Sequence, residues 1–235
     1  MKASPISKAL EGYEIVDLSH ALDDSKPGAH TRYSRITWMT PVMRDGFNAA
    51  MIFIFEHAGT HVDAPIHLAG VEGSTIEKIP LEKWVGDCIV LDMRGKEANG
   101  LVSVEEVKAW EAKNGDIAEG DLVLFDFGWP SGWHEPDPDD KFSYREDPGI
   151  SEEVARYLVA KKVKLVGSDV PNLDASSDKK SPAHRALLDA NIAVLETMTN
   201  LEKLPPRGSF LVALPLNIVD GSGSPVRGVA YTPRL

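Results

Sequence analysis

The segment from His57 to His67 constrains this chain more than any other, because it gathers side chains that bind metal ions. Its eleven residues read His-Ala-Gly-Thr-His-Val-Asp-Ala-Pro-Ile-His and include three histidines and one aspartate. Seven histidines spread evenly over 235 residues would place about one third of a histidine in such a window. Imidazole nitrogens and carboxylate oxygens are common ligands of Zn²⁺, Mn²⁺ and Fe²⁺. The segment therefore predicts a metal site.

The spacing of these groups restricts the backbone between them. A helix would put His57 and His61 on one face, but Gly59, the β-branched neighbours and Pro65 disfavour a helix here. In an extended strand the two histidines would lie about 13 Å apart, too far to share an ion. The chain must therefore turn between them, and Gly59 permits the turn. From an extended segment, His61 and Asp63 can point the same way.

Two simpler interpretations explain this segment less well. Surface histidines beside a helix-capping aspartate would not need four donors clustered after an apolar run. A structural zinc site is closed by four protein ligands and commonly contains cysteine, whereas Cys88 is the only cysteine in the chain. Histidines and a carboxylate without cysteine favour a site with an open position for water, which is typical of catalysis. The segment therefore indicates an enzyme.

Strand and helix signals alternate along the whole chain. Apolar runs predict strands at residues 15–18, 49–55, 88–93, 122–127, 163–166, 192–195 and 210–214. The 49–55 run has no polar residue and predicts a strand buried on both faces. Capping patterns predict helices that begin after Ser103, Ser151 and Ser181. We predict an α/β fold in which residues 1–235 form a single domain, with a β-rich mixed-sheet core and a few peripheral helices.

The charge and hydropathy of the chain exclude several classes of partner. There are 25 lysines and arginines against 36 aspartates and glutamates, a net charge of −11. Such a chain repels phosphate backbones and anionic lipids. No apolar run approaches the ~20 residues of a membrane span, and the first residues lack the apolar stretch of a signal peptide. We expect a cytoplasmic protein that binds a small-molecule substrate and neither nucleic acid nor membrane.

Two further features allow alternative interpretations. The acidic, proline-containing segment 132–149 is either a solvated surface loop or a functional segment, a lid or an oligomer contact. Phe127 and Trp129, on either side of Gly128, are candidates for an apolar wall of a substrate pocket, and equally for ordinary core residues.

The histidine-rich segment resembles the signature of the cyclase-type metal-dependent hydrolases, the family of bacterial kynurenine formamidase and isatin hydrolase. Every fixed position of the family pattern His-x-Gly-Thr-His-x-Asp-x-Pro-x-His is matched at residues 57–67. The resemblance covers nearly the whole chain, with further matches at residues 17–20 with Pro27, 81–86, 167–169, 181–185, 195–201 and 221–225.

The resemblance implies roles for six residues. The implied metal ligands are His57, His61, Asp63, His184 and Glu196, and the implied catalytic acid and base is His67. The ligands would hold one or two divalent ions, Zn²⁺ or Mn²⁺, with Asp63 as a bridge where two are bound. Glu196 also follows an apolar strand, where a carboxylate needs a compensating partner. Members of the family form homodimers or homotetramers, which is the assembly expected here.

The implied reaction is hydrolysis of an amide C–N bond, in an aryl formamide or a cyclic amide such as an isatin-type ring. The ion would generate hydroxide for the attack, and His67 would pass a proton to the departing nitrogen. The same chemistry would cleave a lactone or an ester, which is one alternative. Kynurenine formamidases carry an aromatic substrate contact in a Pro-x-Trp-Pro-Gly stretch, but residues 26–33 contain no tryptophan. This departure argues against N-formylkynurenine as the substrate.

Two rival functions come from other classes. His61, Asp63 and His184 match the two-histidine, one-carboxylate triad of non-haem Fe(II) oxygenases. Such a triad does not need His57 or His67, and helices between strands fit poorly with the fold of those enzymes. The second rival is a non-catalytic metal-binding protein descended from the hydrolases, because fold and ligands alone do not establish turnover.

Overall fold

The computed structural model describes residues 4–22, 35–38, 50–69, 72–129 and 146–234. The 26–33 stretch and residues 132–145 of the acidic segment lie outside these ranges. The strands are β1 (Tyr13–Asp17), β2 (Arg35–Trp38), β3 (Ala50–Phe53), β4 (His61–Asp63), β5 (Val85–Asp92), β6 (Leu101–Val102), β7 (Leu122–Asp126), β8 (Gly149–Ile150), β9 (Leu165–Ser168), β10 (Ala193–Glu196), β11 (Ser209–Val212), β12 (Gly223–Pro225) and β13 (Val229–Pro233). The helices are α1 (Pro5–Ala9), α2 (Ile66–Ala69), α3 (Val104–Asn114), α4 (Glu152–Lys161) and α5 (Pro182–Asp189). None of these helices is long and apolar enough to cross a membrane.

Nine of the strands form one mixed sheet. Its order is β1-β13-β11-β5-β7-β9-β10-β4-β12. The central strands β5, β7, β9 and β10 are parallel to one another, and the flanking strands are antiparallel to their neighbours. The predicted α/β class with a β-rich mixed sheet is confirmed.

The three predicted helix starts are confirmed, with different caps. Ser103 and Glu106 form a reciprocal capping box at the start of α3. The Ser151 hydroxyl accepts a hydrogen bond from the Val154 backbone N–H at the start of α4. Ser181 precedes α5 but its side chain makes no capping bond. The Asp174 carboxylate caps α5 instead, by accepting hydrogen bonds from the backbone N–H groups of Ala183 and His184.

Alternating side chains of the central strands divide the core between the two faces of the sheet. In β7, Val123 and Phe125 pack on the face covered by α3, α4 and α5, whereas Leu122 and Leu124 pack on the opposite face. Val194 of β10 also packs on the helix-covered face. Its position identifies the face that carries the candidate site, because Glu196 lies two residues further along the same strand.

The prediction for residues 49–55 is wrong in one respect. A strand does form, but β3 pairs only with β2, in a separate two-stranded sheet within the described ranges. Ile52 is 61% exposed and Phe53 is 57% exposed. Because adjacent strand residues point to opposite faces, neither face is buried by the described part of the chain. An apolar run indicates a strand, but the partner that buries it is not encoded locally.

Candidate metal centre

A turn between His57 and His61 brings the first donors together. Gly59 adopts a left-handed conformation with φ +62, as the spacing predicted. A Cβ atom on Gly59 would also lie 2.9 Å from the Leu22 side chain. The chain then enters β4, where His61 and Asp63 share one face of the strand. His57 Nδ1 lies 2.6 Å from Asp63 Oδ1.

The sheet register brings Glu196 to the same place. Strand β4 lies between β10 and β12, with His61 directly opposite Glu196. Residues opposite each other on an antiparallel pair project from the same face. His61 Nε2 therefore lies 3.4 Å from Glu196 Oε2 and 3.4 Å from Asp63 Oδ1.

Helix α5 supplies a further donor. His184 Nε2 lies 2.9 Å from Glu196 Oε1 and 3.5 Å from Asp63 Oδ2. Two groups of donor residues result. Within each group the ligand atoms lie within 4.8 Å of one another, and Asp63 belongs to both groups. We call the group of His57, His61 and Asp63 the first position, and the group of Asp63, His184 and Glu196 the second position. The structure thus assembles all five residues that the sequence nominated as ligands, although more than a hundred residues separate the two halves.

The charges in this cluster suit a divalent cation. All five side chains are buried, and buried carboxylates need a compensating positive charge. Burial by itself lowers the pKa of His61, but hydrogen bonds and charges from Asp63 and Glu196 outweigh it and raise the pKa to about 10. Burial opposes ionisation of Glu196, yet the nearby charge and hydrogen bond of His184 lower its pKa to about 2. In the metal-free protein, protonated histidines supply the compensation that an ion would otherwise provide.

The histidines are oriented by groups behind them. His61 Nδ1 lies 2.9 Å from the Gly59 carbonyl oxygen. His57 Nε2 lies 3.0 Å from Ser222 Oγ, and the Ser222 hydroxyl donates to Glu56 Oε2 at 2.6 Å. Partners of this kind fix the ring orientation of metal-binding histidines. Sequence reasoning missed Ser222 as such a partner, because only pairing of β12 with β4 brings it close.

His67 lies beside the cluster on α2. Its ring centroid is 4.1 Å from that of His57, and the residue is exposed. It belongs to neither group of donor atoms. Desolvation, together with the charges of His57 and His184, lowers the pKa of His67 despite the opposing effect of Asp63. This position beside the donor cluster suits proton transfer more than coordination.

The two candidate pocket aromatics differ in their surroundings. Phe127 is buried in the core, with its ring 6.3 Å from that of Phe125. Trp129 is only half-buried. The backbone N–H groups of both residues donate to the buried Asp169 carboxylate, at 2.9 and 2.6 Å. Trp129 is therefore the more accessible of the two.

Buried histidine and carboxylate donors on one face of a mixed sheet define an α/β protein with a candidate divalent-metal centre. The model of the Cyclase family, described as "Putative cyclase", matches residues 16–175. The chain belongs to the cyclase family, which confirms the resemblance seen in the sequence.

Several relatives in this family have names that describe hydrolysis. Isatin hydrolase from Roseibium aggregatum is 31% identical over 195 residues, which cover 76% of this chain and 73% of the relative. Kynurenine formamidase from Salinibacter ruber is 35% identical over 182 residues, covering 77% of this chain and 79% of the relative. A crystal structure of an isatin hydrolase bound to the product analogue thioisatinate has a TM-score of 0.89 at 27% identity, with 100% of each chain covered.

Metal binding should release protons, because imidazolium cannot coordinate an ion. His61, with a pKa of about 10, carries a proton at pH 8 in the metal-free protein. Protons therefore compete with the metal below that pKa, and metal affinity should rise as pH rises from 6 to 8. Calorimetric titration of the metal-free protein with Mn²⁺, in buffers of different ionisation enthalpy, should show release of at least one proton per ion. Binding heats that are independent of the buffer would contradict this account of the charges.

Proposed function

We propose that this chain hydrolyses an amide C–N bond of a small molecule in a reaction that depends on a divalent metal, and that a cyclic amide of the isatin type is its preferred substrate. The observation that carries the proposal is the buried cluster of five donors around Asp63. Its setting supports the proposal, because the chain has the fold of isatin hydrolases and relatives named for hydrolysis.

The ligand assignment follows from the two groups of donors. The first position would hold one ion and the second position another, with Asp63 shared between them. Zn²⁺ and Mn²⁺ both suit this donor set. A bound ion supplies a Lewis acid that polarises the substrate carbonyl and lowers the pKa of bound water. We treat residues 1–235 as one catalytic domain, since β1 and β13 pair within the sheet that carries the site.

His67 is assigned the proton transfer that amide cleavage requires. An amine leaves poorly unless it is protonated, so a neighbouring group must deliver a proton to the departing nitrogen. His67 is exposed beside His57, and its lowered pKa keeps it neutral and able to accept a proton near pH 7. Trp129, half-buried near the end of β7, is assigned to the apolar wall against which an aromatic substrate packs. Phe127 belongs to the buried core cluster against which Trp129 packs.

The choice of substrate class depends on two observations. The absence of tryptophan from residues 26–33 removes a contact expected for N-formylkynurenine. Aryl formamides remain the second candidate, because kynurenine formamidases are among the relatives at 32–35% identity. Lactone or ester cleavage would use the same groups. An oxygenase is disfavoured, because its triad has no role for His57, which lies 2.6 Å from Asp63.

Activity should depend on the metal and favour the cyclic amide. We expect the protein to open the isatin ring with a higher kcat/KM than it shows for N-formylkynurenine. The reaction is monitored by the loss of the isatin absorbance. Removal of metal with a chelator should abolish the reaction, and added Zn²⁺ or Mn²⁺ should restore it, because the ion supplies the Lewis acid. Full activity in protein that elemental analysis finds free of metal would refute the proposal. A higher kcat/KM for the formamide would reassign the substrate class.

His67 and His61 should separate catalysis from metal binding. His67→Ala should retain the metal and lose about 10²–10⁴-fold in kcat, because proton transfer is lost while every donor remains. His61→Ala is the matched control and should lose metal and activity together. Metal content by elemental analysis, measured beside kcat, distinguishes the two. If His67→Ala empties the site, His67 is a ligand and its assigned role is wrong.

We also propose that the chain forms a homodimer or homotetramer. Ile52 and Phe53 expose apolar side chains on both faces of the two-stranded sheet. A two-stranded sheet is marginally stable by itself in water, and exposed apolar clusters commonly mark protein interfaces. A second copy of the chain supplies the cover that the described residues do not.

The double substitution Ile52→Ser and Phe53→Ser should therefore reduce the molecular mass measured by light scattering, because it removes the apolar contact. Leu81→Ser is the matched control, since Leu81 is 66% exposed elsewhere on the surface. The control should keep the mass of the unmodified protein. A monomeric unmodified protein, or a double variant of unchanged mass, would exclude this interface.

A further inference from the structure

One short loop contacts both non-shared residues of the second position. In the loop of residues 172–176, the Leu173 backbone N–H donates to Glu196 Oε1 at 2.8 Å. The next residue, Asp174, places its Oδ2 atom 2.6 Å from His184 Nδ1. The loop thus contacts Glu196 and His184 directly, through atoms that do not belong to Asp63.

The Asp174 carboxylate determines which nitrogen of His184 is available for a metal. Asp174 is 1% exposed, and an ionised carboxylate only accepts hydrogen bonds. His184 Nδ1 must therefore carry the hydrogen in this 2.6 Å contact. The other nitrogen, Nε2, faces Glu196 Oε1 at 2.9 Å and Asp63 Oδ2 at 3.5 Å. Asp174 thus directs Nε2 toward the second position.

The same carboxylate caps α5. The backbone N–H groups of Ala183 and His184 donate to it at 2.7 and 3.2 Å. These bonds hold the start of the helix, where the Ser181 side chain makes no cap. The buried Asp174 carboxylate therefore fixes the start of α5 and the orientation of the His184 ring. It also determines which nitrogen of that ring carries the hydrogen.

The two positions differ in the groups behind their histidines. Within the described ranges, the nitrogens of His61 and His57 that face away from the metal positions contact neutral oxygens, of the Gly59 carbonyl and the Ser222 hydroxyl. The corresponding nitrogen of His184 contacts a carboxylate directly. An anionic partner makes an imidazole a stronger donor to a cation, and loss of such partners typically costs 10–100-fold in affinity.

We propose that Asp174 is a positioning residue that sets the metal affinity of the second position separately from that of the first. This inference rests on the proposed function, because it concerns the same metal centre. Asp174 is not itself one of the five donor residues. It acts through His184.

The position of the loop is itself determined by a strand that carries no ligand. The Ile150 backbone N–H donates to the Leu173 carbonyl oxygen at 3.0 Å, next to Gly149 in β8. A Cβ atom on Gly149 would lie 2.3 Å from the Ala175 nitrogen and 2.6 Å from the Leu173 oxygen. The loop can lie this close to β8 only because residue 149 is glycine, and a side chain there would displace Leu173 and Asp174. Gly149 therefore offers a second way to test the loop.

The first test is Asp174→Asn. Asparagine keeps one oxygen for the backbone N–H groups, but its amide nitrogen donates toward His184 Nδ1 and so favours the hydrogen on Nε2. That hydrogen would block the nitrogen that faces the second position. Calorimetric titration of the metal-free protein with Mn²⁺ alone should show one binding step weakened by about 10–100-fold, with any step that belongs to the first position unchanged.

Two further variants distinguish positioning from simple stabilisation. Gly149→Ala should weaken the same step, because it displaces the loop without altering a donor. Asp169→Asn is the matched control, since Asp169 is also a buried carboxylate that accepts two backbone N–H groups. It should leave every Mn²⁺ affinity unchanged. Thermal unfolding without metal measures the loss of helix capping, and the further rise in Tm on adding Mn²⁺ measures the loss of metal binding.

The outcomes separate this inference from the proposed function. If Asp174→Asn lowers the metal-free Tm but binds Mn²⁺ like the unmodified protein, Asp174 only caps the helix and the inference is wrong. The inference also fails if Asp169→Asn weakens Mn²⁺ binding equally. If the unmodified protein binds no ion, the proposed function itself fails. If the Asp174→Asn variant does not fold, the Gly149→Ala variant provides the test. An unchanged Mn²⁺ affinity in Gly149→Ala would overturn the inference.

Discussion

The buried carboxylate of Asp63 is the group on which the rest of the site depends. It lies 2.6 Å from His57, 3.4 Å from His61 and 3.5 Å from His184. A carboxylate removed from water is strongly destabilised unless positive charge compensates it. Three imidazoles surround it, and their hydrogen bonds hold its pKa well below the ordinary value despite burial. The turn before β4, strand β4 itself and helix α5 each place one histidine beside this carboxylate.

The mixed sheet makes that convergence possible. Strand β10 continues the parallel run from β5, while β4 joins its edge in the antiparallel sense. Glu196 thereby meets His61 at the carboxyl end of β10, where ligands of α/β proteins commonly bind. Helix α5 precedes β10 along the chain and packs on the sheet face that carries Glu196. His184 therefore reaches the site from the helix layer on that face. The antiparallel pairing of β4 with β10 therefore brings together ligand residues that lie far apart in the sequence.

The metal-free protein and the metal-loaded protein satisfy the same electrostatic requirement in different ways. Without an ion, protonated imidazoles balance Asp63 and Glu196. With an ion bound, the imidazoles would be neutral ligands and the cation would balance the carboxylates. The groups that contact the outer nitrogens of the histidines would then influence how strongly each position binds an ion. A neutral carbonyl lies behind His61, and a carboxylate lies behind His184, which makes the two halves of the centre chemically unequal.

The sequence by itself determined what short-range chemistry controls. Groups only a few residues apart determine the turn at Gly59, the alternation of side chains between the two faces of the strands, and the capping of α3. All three features are present in the structure. The family signature also nominated the five donors before their positions were known. Only the tertiary structure decided that Ser222 and Asp174 orient them and that β3 is exposed. The physical reason is that burial and second partners arise from strand register and helix packing between distant segments, which no local spacing encodes.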